Sequence, residues 1–405
     1  MARACFRTRP NLAQVLALVV AVWAGPGAAA AELLEGEFGD IDLGRPLVEP
    51  TRFPTIQQLR EAVRTPEIRP VVLFRLYGSD KNHYLPVWSG DGRRLAFQRS
   101  EIDVRSSKLL LFASMAQPEP SLLSDEEDAY DYMFRWVVNS PASYTFVRIR
   151  PGVAGTRVYL SEEGGKPGPK LAQGARYAHA AAYRRTDGIW RIVYQQNDQV
   201  VQEAWTDRGP LEGPLPVTAG AAPRWSRDGA RLLLARMGPG GEQDAYEMVV
   251  WRLRTGEATP LPAGVRGLVR SPTWSPDERH AAYYVRELGE GKPWRIRVCP
   301  TDGDRPGRTL GNDVRVNAIF ESEGPSWEPS GRRIWFFSNE YQEQAYCPLV
   351  AADIRTGELA VVHYPRRVTN PLDLAVHPAS EVPELAFVGQ IELPQDLFIL
   401  FLNHY

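Results

Sequence analysis

Short apolar runs recur along the chain between clusters of Pro, Gly, Asp and Ser. The runs Leu95 to Phe97, Leu232 to Leu234, Ala281 to Tyr283 and Ile334 to Phe336 each follow a tight turn. Runs this short, bounded by turn formers and lacking a 3.6-residue period, predict buried β-strands. Helical spacing shows once, in Thr55 to Thr65, where apolar positions 56, 59, 62 and 63 predict a short amphipathic helix.

The turns belong to a repeat. Four copies align without gaps: Pro86-Val-Trp88-Ser-Gly-Asp91-Gly92, Pro223-Arg-Trp225-Ser-Arg-Asp228-Gly229, Pro272-Thr-Trp274-Ser-Pro-Asp277-Glu278 and Pro325-Ser-Trp327-Glu-Pro-Ser330-Gly331. Pro-x-Trp reads as the end of a first strand whose indole fills the space between stacked sheets. Asp-Gly is a hairpin turn in which Gly accepts positive φ. Glu278 stands where the other copies have Gly, so that turn must change type or carry strain. Looser copies surround Asn139, Tyr183 and Val376. With Trp as the anchor, the column runs 88, 139, 183, 225, 274, 327 and 376, a mean period of 48. Propeller blades of four strands repeat every ~40–50 residues. The pattern therefore predicts an all-β propeller over 71–405, of seven blades with six as the alternative. Val71 to Tyr77 is left over ahead of the first copy, and the last copy ends one strand short. Together they predict that the N-terminal strand completes the last blade.

Composition refines the setting. Arg3, Arg7 and Arg9, then Leu12 to Trp23 and the small residues Ala28 to Ala31, read as a cleavable signal peptide over 1–31. A periplasmic or secreted location follows, and 32–70 becomes an N-terminal arm. Removing the signal leaves 44 Lys+Arg against 49 Asp+Glu, a balance that argues against nucleic acid as a partner. No later segment is long and apolar enough to span a membrane. Cys299 and Cys347 remain, on strands of neighbouring units, where a disulfide is disfavoured but open.

The repeat resembles that of the TolB-like PD40 (WD40-like) propeller family, strongly in four copies and loosely in three. The resemblance implies an exported scaffold that binds envelope proteins or lipoproteins at one face and at its central tunnel. The arm is too short for the additional α/β domain of that family, and seven units exceed its usual six. The expectation is thus a non-enzymatic protein-binding scaffold without cofactor or metal. The alternatives are a polysaccharide lyase or hydrolase of the oligogalacturonate-lyase type, which holds a metal with several His near the axis, and a carbohydrate- or peptide-binding module.

No catalytic residue is assigned. The sequence has no Gly-x-Ser-x-Gly elbow, P-loop, Rossmann fingerprint or His-Glu-x-x-His. Six His are scattered in unequal columns and read as surface or packing groups. Asp125 to Asp128, with Asp131, lacks calcium-loop spacing and reads as a solvated loop. Arg94, Arg231 and Arg333 share a column, where an Arg bonds turn carbonyls or a neighbouring carboxylate. The rim ahead of each first strand is the better place for a partner. Its candidates are His83, Tyr84, Arg135, His179, Arg270 and Glu323.

Overall fold

The computed structural model describes residues 33–35, 71–77 and 81–402, apart from 101–106, 115, 118, 124–128, 151–152, 154–155, 163–169, 176–179, 207, 238–245, 262–266, 290, 317–323, 341–345, 363–367, 381–382 and 392–395. The expected signal peptide, the helix at 55–65 and the acidic run 125–128 lie outside these residues.

Every regular element described is a strand. β1 (Leu33–Glu35) and β2 (Val71–Tyr77) precede the repeats. The first unit is β3 (Asn82–Trp88), β4 (Leu95–Ser100), β5 (Ser107–Phe112) and β6 (Ser121–Leu122). The second is β7 (Tyr130–Val137), β8 (Ser140–Ile149), β9 (Thr156–Glu162) and β10 (Lys170–Ala175). The third is β11 (Ala180–Arg184), β12 (Trp190–Gln196), β13 (Gln199–Thr206) and the start of β14 (Gly209–Trp225). The end of β14 opens the fourth unit, followed by β15 (Arg231–Met237), β16 (Tyr246–Arg252) and β17 (Glu257–Pro260). The fifth is β18 (Gly267–Trp274), β19 (His280–Glu287), β20 (Arg295–Pro300) and β21 (Arg308–Leu310). The sixth is β22 (Ser326–Trp327), β23 (Arg333–Phe337), β24 (Leu349–Asp353) and β25 (Leu359–Val362). The seventh is β26 (Thr369–Val376), β27 (Glu384–Gln390) and β28 (Asp396–Leu402). β2 supplies its fourth strand, pairing antiparallel with β28 from Val71↔Leu402 to Arg75↔Phe398.

The core is divided among the gaps between units. Trp225, Leu232 and Leu234 meet Val193 and Val200 between the third and fourth units. Trp88, Leu95 and Phe97 meet Val388, Ile399 and Phe401 between the first and the last. Period-2 strands buried on both faces explain why the apolar runs are continuous.

The first strand of most units carries a left-handed residue three positions before the aromatic column. These are Leu85 (φ 50°), Met133 (53°), Ala222 (52°), Ser271 (48°), Gly324 (101°) and Asp373 (51°). The pairings of β3, β7, β14 and β18 with their neighbours shift register there, the mark of a β-bulge. In the second unit this position identifies Trp136, not Asn139, as the column residue. Asn139 lies at the hairpin turn instead (φ 64°). The correction turns spacings of 51 and 44 into 48 and 47.

The indoles at 136, 225, 274 and 327 reach back to the preceding unit. Trp136 Nε1 donates to Val87 O (3.1 Å), Trp225 Nε1 to Ala181 O (3.1 Å), Trp274 Nε1 to Arg224 O (3.3 Å) and Trp327 Nε1 to Thr273 Oγ1 (3.1 Å). An indole nitrogen can only donate, so burial demands such an acceptor. The residue just before the column reaches forward. Arg224 Nε donates to Pro272 O (3.1 Å), Thr273 Oγ1 to Pro325 O (3.1 Å) and Ser326 Oγ to Leu374 O (2.5 Å).

The hairpins after the column repeat atom for atom. Ser226 Oγ donates to Asp228 Oδ1 (2.5 Å), which also accepts Ala230 N–H (3.0 Å), and Gly229 N–H closes on Ser226 O (3.0 Å). Ser89 with Asp91 and Ser275 with Asp277 do the same at 2.6 Å. The turn at Glu278 keeps this form by holding Glu278 at φ 58°. Its carboxylate accepts from Arg231 Nη2 (2.7 Å) and from Arg227 N–H in the preceding turn. Arg231 in turn lies over Trp274 (5.0 Å). Both described cysteines, Cys299 and Cys347, are free thiols, so no disulfide joins these units.

Candidate functional site at the mouth of the repeats

The hairpins lie at one end of the units. The start of each first strand and the end of each second strand lie at the other, the mouth. A small cleft of about 20 Å³ sits there, lined by Tyr284, Arg315, Val316, Gly324, Phe337 and Asp373 among others. Trp335, Phe336 and Leu374 complete its lining.

The segment carrying Arg315 is strapped to two units. Val314 N–H donates to Trp294 O and Arg315 N–H to Phe337 O, both at 2.8 Å. Among the described residues, the Arg315 side chain hydrogen-bonds neutral groups: Nη1 faces Cys347 Sγ (3.3 Å) and Nη2 donates to Asn370 Oδ1 (3.3 Å). Asn370 is oriented by its own donation to Gln390 Oε1 (2.7 Å). Burial pushes the Cys347 thiol up, against a smaller downward pull from Arg315. The sulfur is therefore a neutral thiol at neutral pH and does not balance the guanidinium. Asp313, two residues back, accepts from Asn339 Nδ2 (3.1 Å).

Two more guanidiniums stand on the fifth unit. Arg270 and Arg286 lie over the ring of Trp294 at 5.4 and 4.8 Å. Such stacking uses the ring's negative face without neutralising the charge. Among the described residues, neither they nor Arg315 form an ion pair. The carboxylate lining the cleft is Asp373, whose Oδ2 accepts Leu85 N–H (3.1 Å) across the seam between last and first units. Nearby, burial raises the Tyr84 phenol, with a hydrogen bond from Ser100 opposing and the charge of Asp373 reinforcing. Tyr84 is thus a neutral donor at neutral pH.

Of the rim candidates, Tyr84 and Arg270 stand at this mouth. His83 does not reach solvent: it is 0% exposed, edge-on to Phe97 at 5.6 Å. Arg135 is 5% exposed and directs its guanidinium at Pro223 O (3.5 Å). His179 and Glu323 lie outside the described residues. Asp131 is no part of a solvated loop, because Arg148 grips its carboxylate through Nε (2.6 Å) and Nη2 (2.7 Å) in the interior. His377 is also committed to packing: Nε2 meets Gly92 O (2.8 Å), Nδ1 accepts Ala379 N–H (3.1 Å), and the ring abuts Trp88 (4.8 Å). Among the described residues no three His, Cys, Asp or Glu side chains gather as a metal site. Sequence reasoning missed Arg315, Arg286, Trp294 and Asp373, since none belongs to the repeated motif.

No known family profile matches this chain, and no curated protein matches it in sequence. Solved structures do resemble it. An oligogalacturonate lyase from Vibrio parahaemolyticus aligns at TM-score 0.54 and 9% identity, over 92% of this chain and 99% of its own. An oligogalacturonate lyase in complex with manganese gives 0.54 and 11%, over 93% and 99%. The β-propeller domain of Cps50 (Swd1) from Myceliophthora thermophila gives 0.52 and 12%, over 78% and 95%. The fold is a β-propeller. A TolB homologue from Agrobacterium tumefaciens aligns more loosely, at TM-score 0.40 and 14% identity, over 82% and 98%.

Proposed function

We propose that this chain is an exported, closed seven-bladed propeller that serves as a non-catalytic scaffold, recognising a protein partner at its mouth. The observation that carries this reading is the mouth around Arg315, where a guanidinium bonded to Cys347 and Asn370 stands beside Tyr284, Asp373 and apolar side chains. Arginine and aromatic groups side by side are enriched in protein-recognition surfaces. The amino-terminal sequence supports export, and the mature net charge disfavours nucleic acid as the occupant.

A second reading is a uronate-directed lyase, favoured by the fit to oligogalacturonate lyases over nearly the whole chain. It needs several His near the axis, whereas His83 and His377 are engaged in packing. Affinity purification of the tagged protein from native envelopes separates the two. A stoichiometric envelope protein retained through high-salt washing is the expected result. Release of unsaturated uronates from oligogalacturonate, with no protein retained, would overturn it.

A further inference from the structure

Guanidiniums gather around one gap at the mouth, between the fifth and sixth units. Across β18 and β19, Arg270 pairs with Tyr284 and Leu268 with Arg286, so one face of the sheet carries all four. Trp294 stands on the same face, beneath both stacked guanidiniums. Tyr284 and Trp294 pack with Phe336 and Val350 of the sixth unit, which identifies the gap this face overlooks. Arg315 follows Val314, whose N–H is bonded to Trp294 O.

The charge here is unbalanced. Arg270 and Arg286 form no ion pair among the described residues. The indole attracts both but offers their N–H groups no lone pair, and Arg286 Nε has no acceptor. Neighbouring carboxylates are committed elsewhere: Glu287 to Arg295 (3.5 Å), Asp313 to Asn339 (3.1 Å) and Asp373 to Leu85 N–H (3.1 Å). Glu287 also alternates onto the opposite face of β19. Like charges crowded together repel, and an incoming anion relieves them. Arg270 and Arg286 are only half-buried, so an anion reaches them from the rim and needs no enclosed pocket.

The donor set narrows the anion. A carboxylate only accepts, and a guanidinium can grip it through two parallel bonds. Sugar hydroxyls must donate as well, and the side chains of this face offer them only the Tyr284 hydroxyl. An acidic peptide therefore fits better than a polysaccharide. The mature chain has 44 Lys+Arg against 49 Asp+Glu, so its net field repels such a peptide and the attraction has to be local.

We propose that Arg270 and Arg286, stacked on Trp294, anchor an extended acidic segment of the protein partner across the mouth of the fifth unit, with Arg315 adding positive potential beside them. This rests on the protein-recognition reading and names the chemistry recognised.

The test titrates the whole protein against a fluorescein-labelled peptide of six Glu-Gly repeats, read by anisotropy, with the Gln-Gly peptide of equal length as control. The acidic peptide binds at least about tenfold more tightly than the neutral one, and the difference shrinks toward ~0.3 M salt. Arg270→Gln and Arg286→Gln each weaken it at least about threefold, and together they remove the preference. Arg227→Gln, exposed at the hairpin end, leaves it unchanged. If a mouth variant fails to fold, the comparison of the two peptides on unaltered protein still decides the matter. Equal affinity for both peptides, a preference surviving in the double variant, or one lost as readily in Arg227→Gln would each overturn the proposal. So would tighter binding of oligogalacturonate carrying the same number of carboxylates. An envelope protein retained equally by wild type and the folded double variant would leave the scaffold reading intact and remove this one. Preference for the acidic peptide without any retained envelope protein would do the reverse.

Discussion

The hairpin end and the mouth end of the units are built on opposite plans. At the hairpin end, Ser-x-Asp turns in the first, fourth and fifth units share the same bonds, whose Ser Oγ to Asp Oδ1 distances are 2.6, 2.5 and 2.6 Å. At the mouth, Arg315, the Trp294 stack and Asp373 each occur in one unit only. The difference follows from what each end must do. Holding neighbouring units together is a recurring task, so one set of atoms answers it repeatedly. The recognition proposed for the mouth is done once and breaks the repeat.

Perturbing each end tests that division. The largest effect comes from deleting residues through Gly78, which removes β2 and exposes the edge of β28. Calorimetry should then show loss of the single cooperative transition, and an unchanged melting profile would disprove closure by this strand. Trp225→Ala comes next. It empties a space between two units and strands Ala181 O, lowering stability by about 3–5 kcal/mol in urea titration. Arg286→Gln at the mouth should lose under about 1 kcal/mol in the same assay.

The turn carboxylates give a pH test of intermediate size. Burial works to raise Asp91, Asp228 and Asp277, but hydrogen bonds from serine hydroxyls and backbone N–H groups prevail and lower all three. Their contribution is complete above the unfolded value of about 3.9 and is lost as pH falls through the lower folded values. Asp228→Ala should therefore destabilise by about 1–3 kcal/mol at pH 7. The gap from wild type should close as acidification passes below the unfolded carboxylate value, read as melting temperature against pH. A gap independent of pH would show that the charge on Asp228 is not what the turn uses.

A similarly small effect is expected at the one turn that breaks its own rule. Glu278→Ala keeps the left-handed backbone and loses the bond to Arg231, so it should destabilise by about 1 kcal/mol. Glu278→Gly loses the same bond but relieves the backbone, and should lie within about 0.5 kcal/mol of wild type. If the two variants melt alike, the left-handed strain at 278 is negligible.

The hairpin end was readable because its chemistry is local. Ser, Asp and Gly within four residues state the whole turn, and Trp one position earlier states the packing. The strand at 71–77 was readable from what the last unit lacked. Trp136 was misplaced because its unit has no Asp-Gly to fix the register, and the left-handed Met133 that marks it leaves no sequence signal. The mouth was hidden for a different reason. Arg315 meets Asn370 and Cys347 from other segments, contacts set by how units stack rather than by any spacing along the chain. His83 starts its strand but strand register turned it inward, and Arg135 stands next to the column residue Trp136 rather than at the rim.

β14 closes the third unit and opens the fourth without a break, over 17 residues. At this junction there is no described loop between the outgoing and incoming strands. Loops are where proteins accept insertions and where new recognition surfaces are grown. The other junctions can be lengthened to decorate the mouth, whereas a residue added within β14 would shift the alternation of its side chains in one unit or the other. Diversification of these units is therefore uneven, and the junction of the third and fourth units is where grafting a foreign segment would fail first.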